Sequence, residues 1–274
     1  MHRSFSFAPP RVRRQFVMDD FDGRDLIVLE AAEQGVLAYE KPLPELLACC
    51  VSHGPSTLID VGANTGLFSI LAASVSPEVS VVAFEPMKQI CSMLRVNVGL
   101  NPSLKPQIRI EEKALSSTSG VKRFYETLND RGFLSTSSTL ELDHARSVAG
   151  EFRSTDVEVA TLDTLHLEQA CASTVLLKVD AEGHEQDVVQ GGLAFIRRYK
   201  PLMIVEMLEA SKGLAYFQQF VDREHYVNFA FAGRALKREQ AVQFERDSWN
   251  HVLCPVEKVY DLAVAAQSAG LQLL

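Results

Sequence analysis

From Thr57 onward the chain alternates short apolar runs with stretches of helical periodicity, and this alternation constrains the fold more than any other feature. "TLIDV", "VSVVAF", "QIRIEEKAL", "TVLLKVD" and "PLMIVEM" are near-continuous apolar segments of strand length. Leu67, Ile70, Leu71 and Val75 mark one face of a helix between the first two. Ile90, Leu94 and Val98 mark another over 87–100. A helix is expected from about Gly183, two late strands at "YVNFAFA" and "HVLCPV", and a last helix over 257–269. Strands that are apolar on both faces and separated by helices predict an α/β fold with a mostly parallel sheet covered on both sides. Right-handed crossovers make it doubly wound.

Residues 1–20 read as irregular, with Pro9-Pro10 marking a break. A short helix is expected over 24–35, ending at Gly35, and a second from Pro44 to about His53. Residues 1–54 are thus expected to be an arm and helices packing on a domain that spans 55–274. Residues 116–150 interrupt the alternation with "SSTSG", "NDRG" and "STSST". They read either as a strand with a surface excursion or as a lid at the acceptor site, and both readings stay open.

With 47% hydrophobic residues, the 274-residue chain can bury a sizeable core. Its net charge of −8 disfavours a nucleic-acid groove. The basic cluster Arg11, Arg13 and Arg14 reads as a solvated arm. Five cysteines without a C-x-x-C pair argue against a disulfide framework and for a reducing compartment. Neither a signal peptide nor a membrane span is visible, so a soluble cytoplasmic location is expected.

In "LIDVGANTGLFSIL", at 58–71, the first strand breaks at Asp60 and passes Gly62, Asn64 and Gly66 before the helix begins. Ligands of open α/β sheets bind beyond the carboxyl ends of the strands. Glycines let the backbone turn and approach a ligand, and Asn tolerates a left-handed conformation. Free N–H groups at the helix start suit an anion such as a carboxylate, and Asp60 suits an amine. A P-loop would need a Lys that is missing, and the G-x-G-x-x-G pattern of dinucleotide folds fails at Asn64 and Leu67. A dehydrogenase would have to bind nicotinamide despite that failure. Glu85 closes the second strand, where an acid can accept both hydroxyls of a ribose.

The spacing D-x-G-x-N-x-G resembles motif I of class I S-adenosylmethionine methyltransferases. "YE" at 39–40, "DVGANTGLFS" at 60–69, "FEP" at 84–86, "KALS" at 113–116, "LKVDAEGHE" at 177–185 and "KPLMIVEM" at 200–207 together resemble the FkbM family of those enzymes. The resemblance runs in the expected order over about 35–260. It implies a seven-stranded Rossmann-like fold, S-adenosylmethionine as cofactor, and O-methylation of a hydroxyl on a sugar, glycan or natural product. It also implies that Asp60, Gly62, Ala63, Asn64 and Gly66 line the methionine end, that Glu85 holds the ribose, and that Ala114 and Leu115 lie near the adenine.

"VDAEGHE" places Asp180, Glu182, His184 and Glu185 at the end of the fourth strand. Glu185 reads as a helix-capping acid. An alcohol acceptor must lose its proton, and a neutral imidazole suits that task. His184 is therefore the first candidate base and Asp180 the second. Glu182, Glu206, Ser135 and Ser137 are candidate acceptor contacts. Asp180, Glu182, His184 and Glu206 match no established metal signature, so no metal is expected. His53, His144, His166, His225 and His251 read as structural, and Trp249 and the phenylalanines as packing. The opposing class of function is a cofactor-binding or scaffold protein without turnover, since fold alone does not establish catalysis. Oligomeric state and the acceptor's identity are not written in the sequence.

Overall fold

The computed structural model describes residues 3–10, 12–127, 133–134, 137–148, 151–167, 174–208, 213–244 and 248–274. In chain order the elements are β1 (Ser4–Phe7), β2 (Phe16–Asp19), α1 (Leu26–Gln34), α2 (Leu43–Cys50), β3 (Ser56–Val61), α3 (Leu67–Val75), β4 (Val79–Phe84) and α4 (Lys88–Gly99). Then follow β5 (Ile108–Glu111), β6 (Ala114–Leu115), β7 (Gly120–Thr127), α5 (Leu142–Val148), β8 (Phe152–Ala160), β9 (Thr174–Val179), α6 (Glu185–Gln190) and α7 (Leu193–Tyr199). The chain ends with β10 (Leu202–Glu206), α8 (Leu214–Glu224), β11 (Tyr226–Ala232), β12 (Ala235–Glu239), β13 (Asn250–Pro255), α9 (Val259–Ser268) and β14 (Gln272–Leu273).

Among the described residues the main sheet has nine strands in the order β14-β12-β11-β13-β10-β9-β3-β4-β5. The five from β10 to β5 are mutually parallel, and β13 runs antiparallel to β10. The seven strands expected from the resemblance form one contiguous block, and β12 and β14 extend its edge. After β3 the chain builds outward through β4 and β5, then returns to the other side of β3 with β9 and β10. The order reverses at β3, so a crevice opens where β3 and β9 end.

Burial explains the apolar runs. All six residues of β3 are buried, and so is every residue of α3. Helix α3 lies between the sheet and the N-terminal elements and has no solvent face. Phe16, Met18, Leu43, Leu46 and Leu47 join the cluster that contains Leu58, Ile70 and Leu71.

Several local expectations change. Residues 1–20 are not irregular throughout, because β1 and β2 pair antiparallel. Arg14 is more than a solvated arm: it donates to the carbonyls of Ala73 and Ser103 and to Gln107. "QIRIEEKAL" is two strands in two sheets: β5 pairs with β4, whereas β6 pairs with β8. Strand β8 also pairs with β7, completing a three-stranded sheet in which β7 comes from the 116–150 interruption and β6 and β8 flank it. Its strands are largely polar and half-exposed, so they leave little hydrophobic signal.

Candidate active site

The break after β3 is built by the residues the sequence singles out. Gly62 has φ 79° and Gly66 has φ 102°, and Asn64 is left-handed with φ 48°. Both glycines are required by packing within the protein. A Cβ at Gly62 would lie 1.9 Å from the Asp180 carbonyl oxygen, and one at Gly66 would lie 2.4 Å from Leu94 Cδ1. The amides of Gly62 and Ala63 both donate to the Phe84 carbonyl, at 3.1 and 3.0 Å, which joins the turn to the end of β4. Gly62, Ala63, Asn64, Glu85, Ala114 and Leu115 all line one cavity over the strand ends. Asp180, Glu182, His184 and Glu206 line it too.

Two of the candidate cofactor residues sit elsewhere. Gly66 is the N-cap position of α3 and serves the turn. Asp60 is fully buried and is not on the cavity wall. It accepts a hydrogen bond from Ser69 Oγ at 2.6 Å, tying β3 to α3. Burial raises the Asp60 carboxyl, and the Lys178 ammonium opposes that shift. Ser137 is described but does not line the cavity, whereas Ser138, Leu140 and Phe124 do. Ser135 lies outside the described residues.

Glu85 Oε2 accepts from the Asn64 amide at 3.1 Å, and Oε1 accepts from the Met87 amide at 2.9 Å. Burial pushes its carboxyl up to about 7, against those two amides, with Asp60 and Asp180 adding to the rise. Each oxygen keeps a lone pair for a further donor.

Lys178 was not singled out by sequence reasoning. It stands in register with Asp60 and is 2% exposed. Its Nζ donates to Asp180 Oδ2 at 2.8 Å and sits 4.8 Å from the centre of the Phe68 ring. Burial alone would lower this ammonium, yet Asp180, Asp60 and Glu40 together hold it above its ordinary value. Glu40, on the cavity wall beside Tyr39, is raised to about 7 by burial, with Lys178 opposing. Trp249, read as packing, stands on the cavity wall and is 43% exposed, which puts it at the mouth.

His184 has both ring nitrogens engaged. Nδ1 lies 2.6 Å from Glu141 Oε1, and Nε2 lies 2.9 Å from Ser116 Oγ. Lys122 Nζ donates to the same Ser116 oxygen at 2.6 Å. Ser116 Oγ thus accepts from Lys122 and also bonds the imidazole, whose other nitrogen bonds Glu141. This chain ties β7 and the approach to α5 onto the turn after β9. Thr139 Oγ1 adds a bond to the Glu182 carbonyl at 2.7 Å. His144 Nε2 lies 3.4 Å from Glu182 Oε2, behind the cavity wall that Glu182 forms. Glu185 reaches back to accept from the amides of Ala181 and Gly183, which stiffens the turn.

A doubly wound sheet, a glycine turn at the order reversal, an acid closing the neighbouring strand and an antiparallel β13 beside β10 fit a class I methyltransferase fold with a cavity at its switch point. The profile of the methyltransferase FkbM domain matches residues 60–235, and the chain belongs to that family. It is 29% identical over 168 residues to the 31-O-demethyl-FK506 methyltransferase FkbM of Streptomyces tacrolimicus, covering 52% of this chain and 64% of that protein. It is also 39% identical over 69 residues to the AMB antimetabolite synthetase AmbE of Pseudomonas aeruginosa, covering 25% of this chain and 3% of AmbE. The chain therefore spans less than two thirds of each of these relatives. A solved methyltransferase FkbM from Methylobacillus flagellatus superposes with a TM-score of 0.46 at 14% identity, covering 72% of this chain and 44% of that one.

S-adenosylmethionine is the methyl donor of this family. The cavity suits it on two observations. Glu85 offers unfilled acceptor capacity beside the turn, as a ribose diol needs. Met87, Ile90, Ala114 and Phe124 form an apolar cluster facing that end, which suits a flat purine.

A pH dependence follows from Glu85. Below about pH 7 its carboxyl holds a proton, and above it the ionised form has acceptor capacity for two further donors, such as the hydroxyls of a ribose. Affinity for S-adenosylhomocysteine should therefore rise from pH 5 to pH 8, with proton release on binding. Calorimetry in buffers of different ionisation enthalpy reads both quantities. The slope should flatten in Glu85→Gln, and an equal slope there would assign it to another group.

Among the described residues no helix is long and apolar enough to cross a membrane. Cys49, Cys50, Cys91 and Cys254 are buried, and Cys171 lies outside the described residues.

Proposed function

We propose that the chain transfers a methyl group from S-adenosylmethionine to a hydroxyl of a small sugar, glycan or natural product. One observation carries this reading: a single cavity joins the Glu85 end to a carboxylate group formed by Asp180, Glu182 and Glu206. Bound S-adenosylmethionine supplies a methyl group already activated on a sulfonium. The protein's task is then to hold the acceptor oxygen in line and remove its proton.

Asp180 is the proposed base. It stands on the cavity wall beyond the glycine turn, and the Lys178 contact takes only Oδ2. His184, with both nitrogens bonded, is proposed as a positioning residue that holds the turn and the 116–148 elements together. Phe124, Ser138 and Leu140 bring that segment to the cavity and support its role in enclosing the acceptor. The name of the Streptomyces relative specifies an O-methyl product, which favours a hydroxyl acceptor.

The test is a screen of hydroxylated acceptors, read by mass for the gain of one methyl group together with release of S-adenosylhomocysteine. Turnover on at least one alcohol is expected. Cofactor binding without transfer to any acceptor would favour a binding or scaffold protein.

A further inference from the structure

In the sequence, Asp180, Glu182 and Glu206 show no metal-ligand spacing. The fold brings them together because Asp180 and Glu206 follow or end two adjacent parallel strands, β9 and β10. Glu182 comes two residues after Asp180 on a turn in which it is left-handed, with φ 53°. One carboxylate oxygen from each of the three lies within 4.8 Å of the other two. Glu206 Oε2 is shielded from solvent and has no hydrogen-bond partner among the described residues. Nearly all neighbouring polar groups have other engagements: His184 is bonded to Glu141 and Ser116, Glu185 to two backbone amides, and Lys178 to one oxygen of Asp180.

We infer that Asp180, Glu182 and Glu206 form a binding site for one hard divalent cation of the Mg²⁺ or Mn²⁺ kind. Oxygens bound to Mg²⁺ at about 2.0–2.1 Å lie roughly 3–4 Å apart, so a cluster whose oxygens are within 4.8 Å of one another closes on such an ion with small side-chain movements. An all-oxygen donor set selects a hard ion over zinc or copper. With the three carboxylates ionised, the Lys178 contact to Asp180 and the His144 contact to Glu182 at 3.4 Å still leave an excess of negative charge that a divalent ion balances. The side facing the cavity leaves coordination positions for water or an acceptor hydroxyl, since all three residues line it. A cation here would stand where an acceptor oxygen has to be held. The inference goes beyond the proposed methyl transfer, and binding is read without turnover, so its failure leaves that reading standing.

Mn²⁺ is the probe. Free Mn²⁺ is followed by electron paramagnetic resonance during titration of the full chain with saturating S-adenosylhomocysteine. One saturable Mn²⁺ per chain is expected, displaced by Mg²⁺. Glu206→Gln and Glu182→Gln should each weaken it at least tenfold, and Glu33→Gln, on the exposed surface, should not. Circular dichroism and melting of each variant report whether it has folded, and Glu182→Gln carries the test if Glu206→Gln does not fold. The absence of a saturable site would overturn the inference. So would unchanged affinity in both cavity variants, which would assign Mn²⁺ to the acidic surface at large. An amine ligand that occupies the cluster in a chain without a Mn²⁺ site would overturn it as well.

Discussion

Lys178→Met should lower the stability of the folded chain by about 3–5 kcal/mol at pH 8, the usual effect of removing one member of a buried charge group. The reason is local. Lys178 is the ammonium that opposes the buried charges of Asp60 and Glu40 while pairing with Asp180. Methionine fills similar space but leaves those acids without their counter-charge. Asp60 and Glu40, already raised by burial, then hold their protons more tightly. Their folded-state affinity for protons rises above the unfolded value, so the variant loses stability as pH climbs past the ordinary carboxylate range. The loss should therefore be smaller at pH 5 than at pH 8. Thermal melting at the two pH values measures this, with a drop in midpoint on the order of 10 °C expected at pH 8. A drop that is the same at both pH values would mean that Lys178 acts through packing on Phe68.

Asp180→Asn should slow single-turnover methyl transfer by about 10²–10⁴, the usual range for removing an acid–base group. The substitution keeps the shape of the side chain and one oxygen for the Lys178 contact at 2.8 Å. Affinity for S-adenosylhomocysteine should change only a few-fold, because Glu85 and the glycine turn are untouched. His184→Asn should have a smaller effect on the chemical step and a larger one on acceptor affinity, since it loosens the segment bonded through Ser116 and Glu141. If His184→Asn abolished the step while Asp180→Asn retained most of the rate, the two roles would be exchanged.

Much of this was legible in the sequence because the relevant residues are contiguous in it. A strand, a glycine turn and a helix lie within fourteen residues at 58–71, and Glu85 ends the next strand. The apolar runs mark the parallel strands because those strands are buried on both faces. What was not legible depends on side-chain direction or on distant pairing. Asp60 ends an apolar run, but the run does not say that its carboxylate turns toward Ser69 and away from the cavity. Strands β7 and β8 are polar, and their pairing spans the 116–150 segment, so no local pattern marks them. Strand β14 has two residues, too few for any period. His184 looked like a free base because Ser116 and Glu141, its partners, are 68 and 43 residues away. Lys178 did leave a signal: it is the one charge inside "TVLLKV", and it shares a strand face with Asp180 two residues on. A lysine inside a run destined for burial needs an acid nearby, and both Asp60 and Asp180 supply one.

The central claim is that the turn at 62–66 and Glu85 form the S-adenosylmethionine site. Calorimetric titration of S-adenosylhomocysteine into wild type and Glu85→Ala at pH 8 tests it most directly. One site per chain is expected in wild type, with a loss of about 1.5–3 kcal/mol in the variant, or roughly 10- to 150-fold, the usual effect of removing hydrogen bonds to a charged acceptor. The melting temperature of the ligand-free variant reports whether the turn that donates to Glu85 through the Asn64 and Met87 amides stays folded. Equal affinity in the two proteins, with the fold intact, would contradict the assignment.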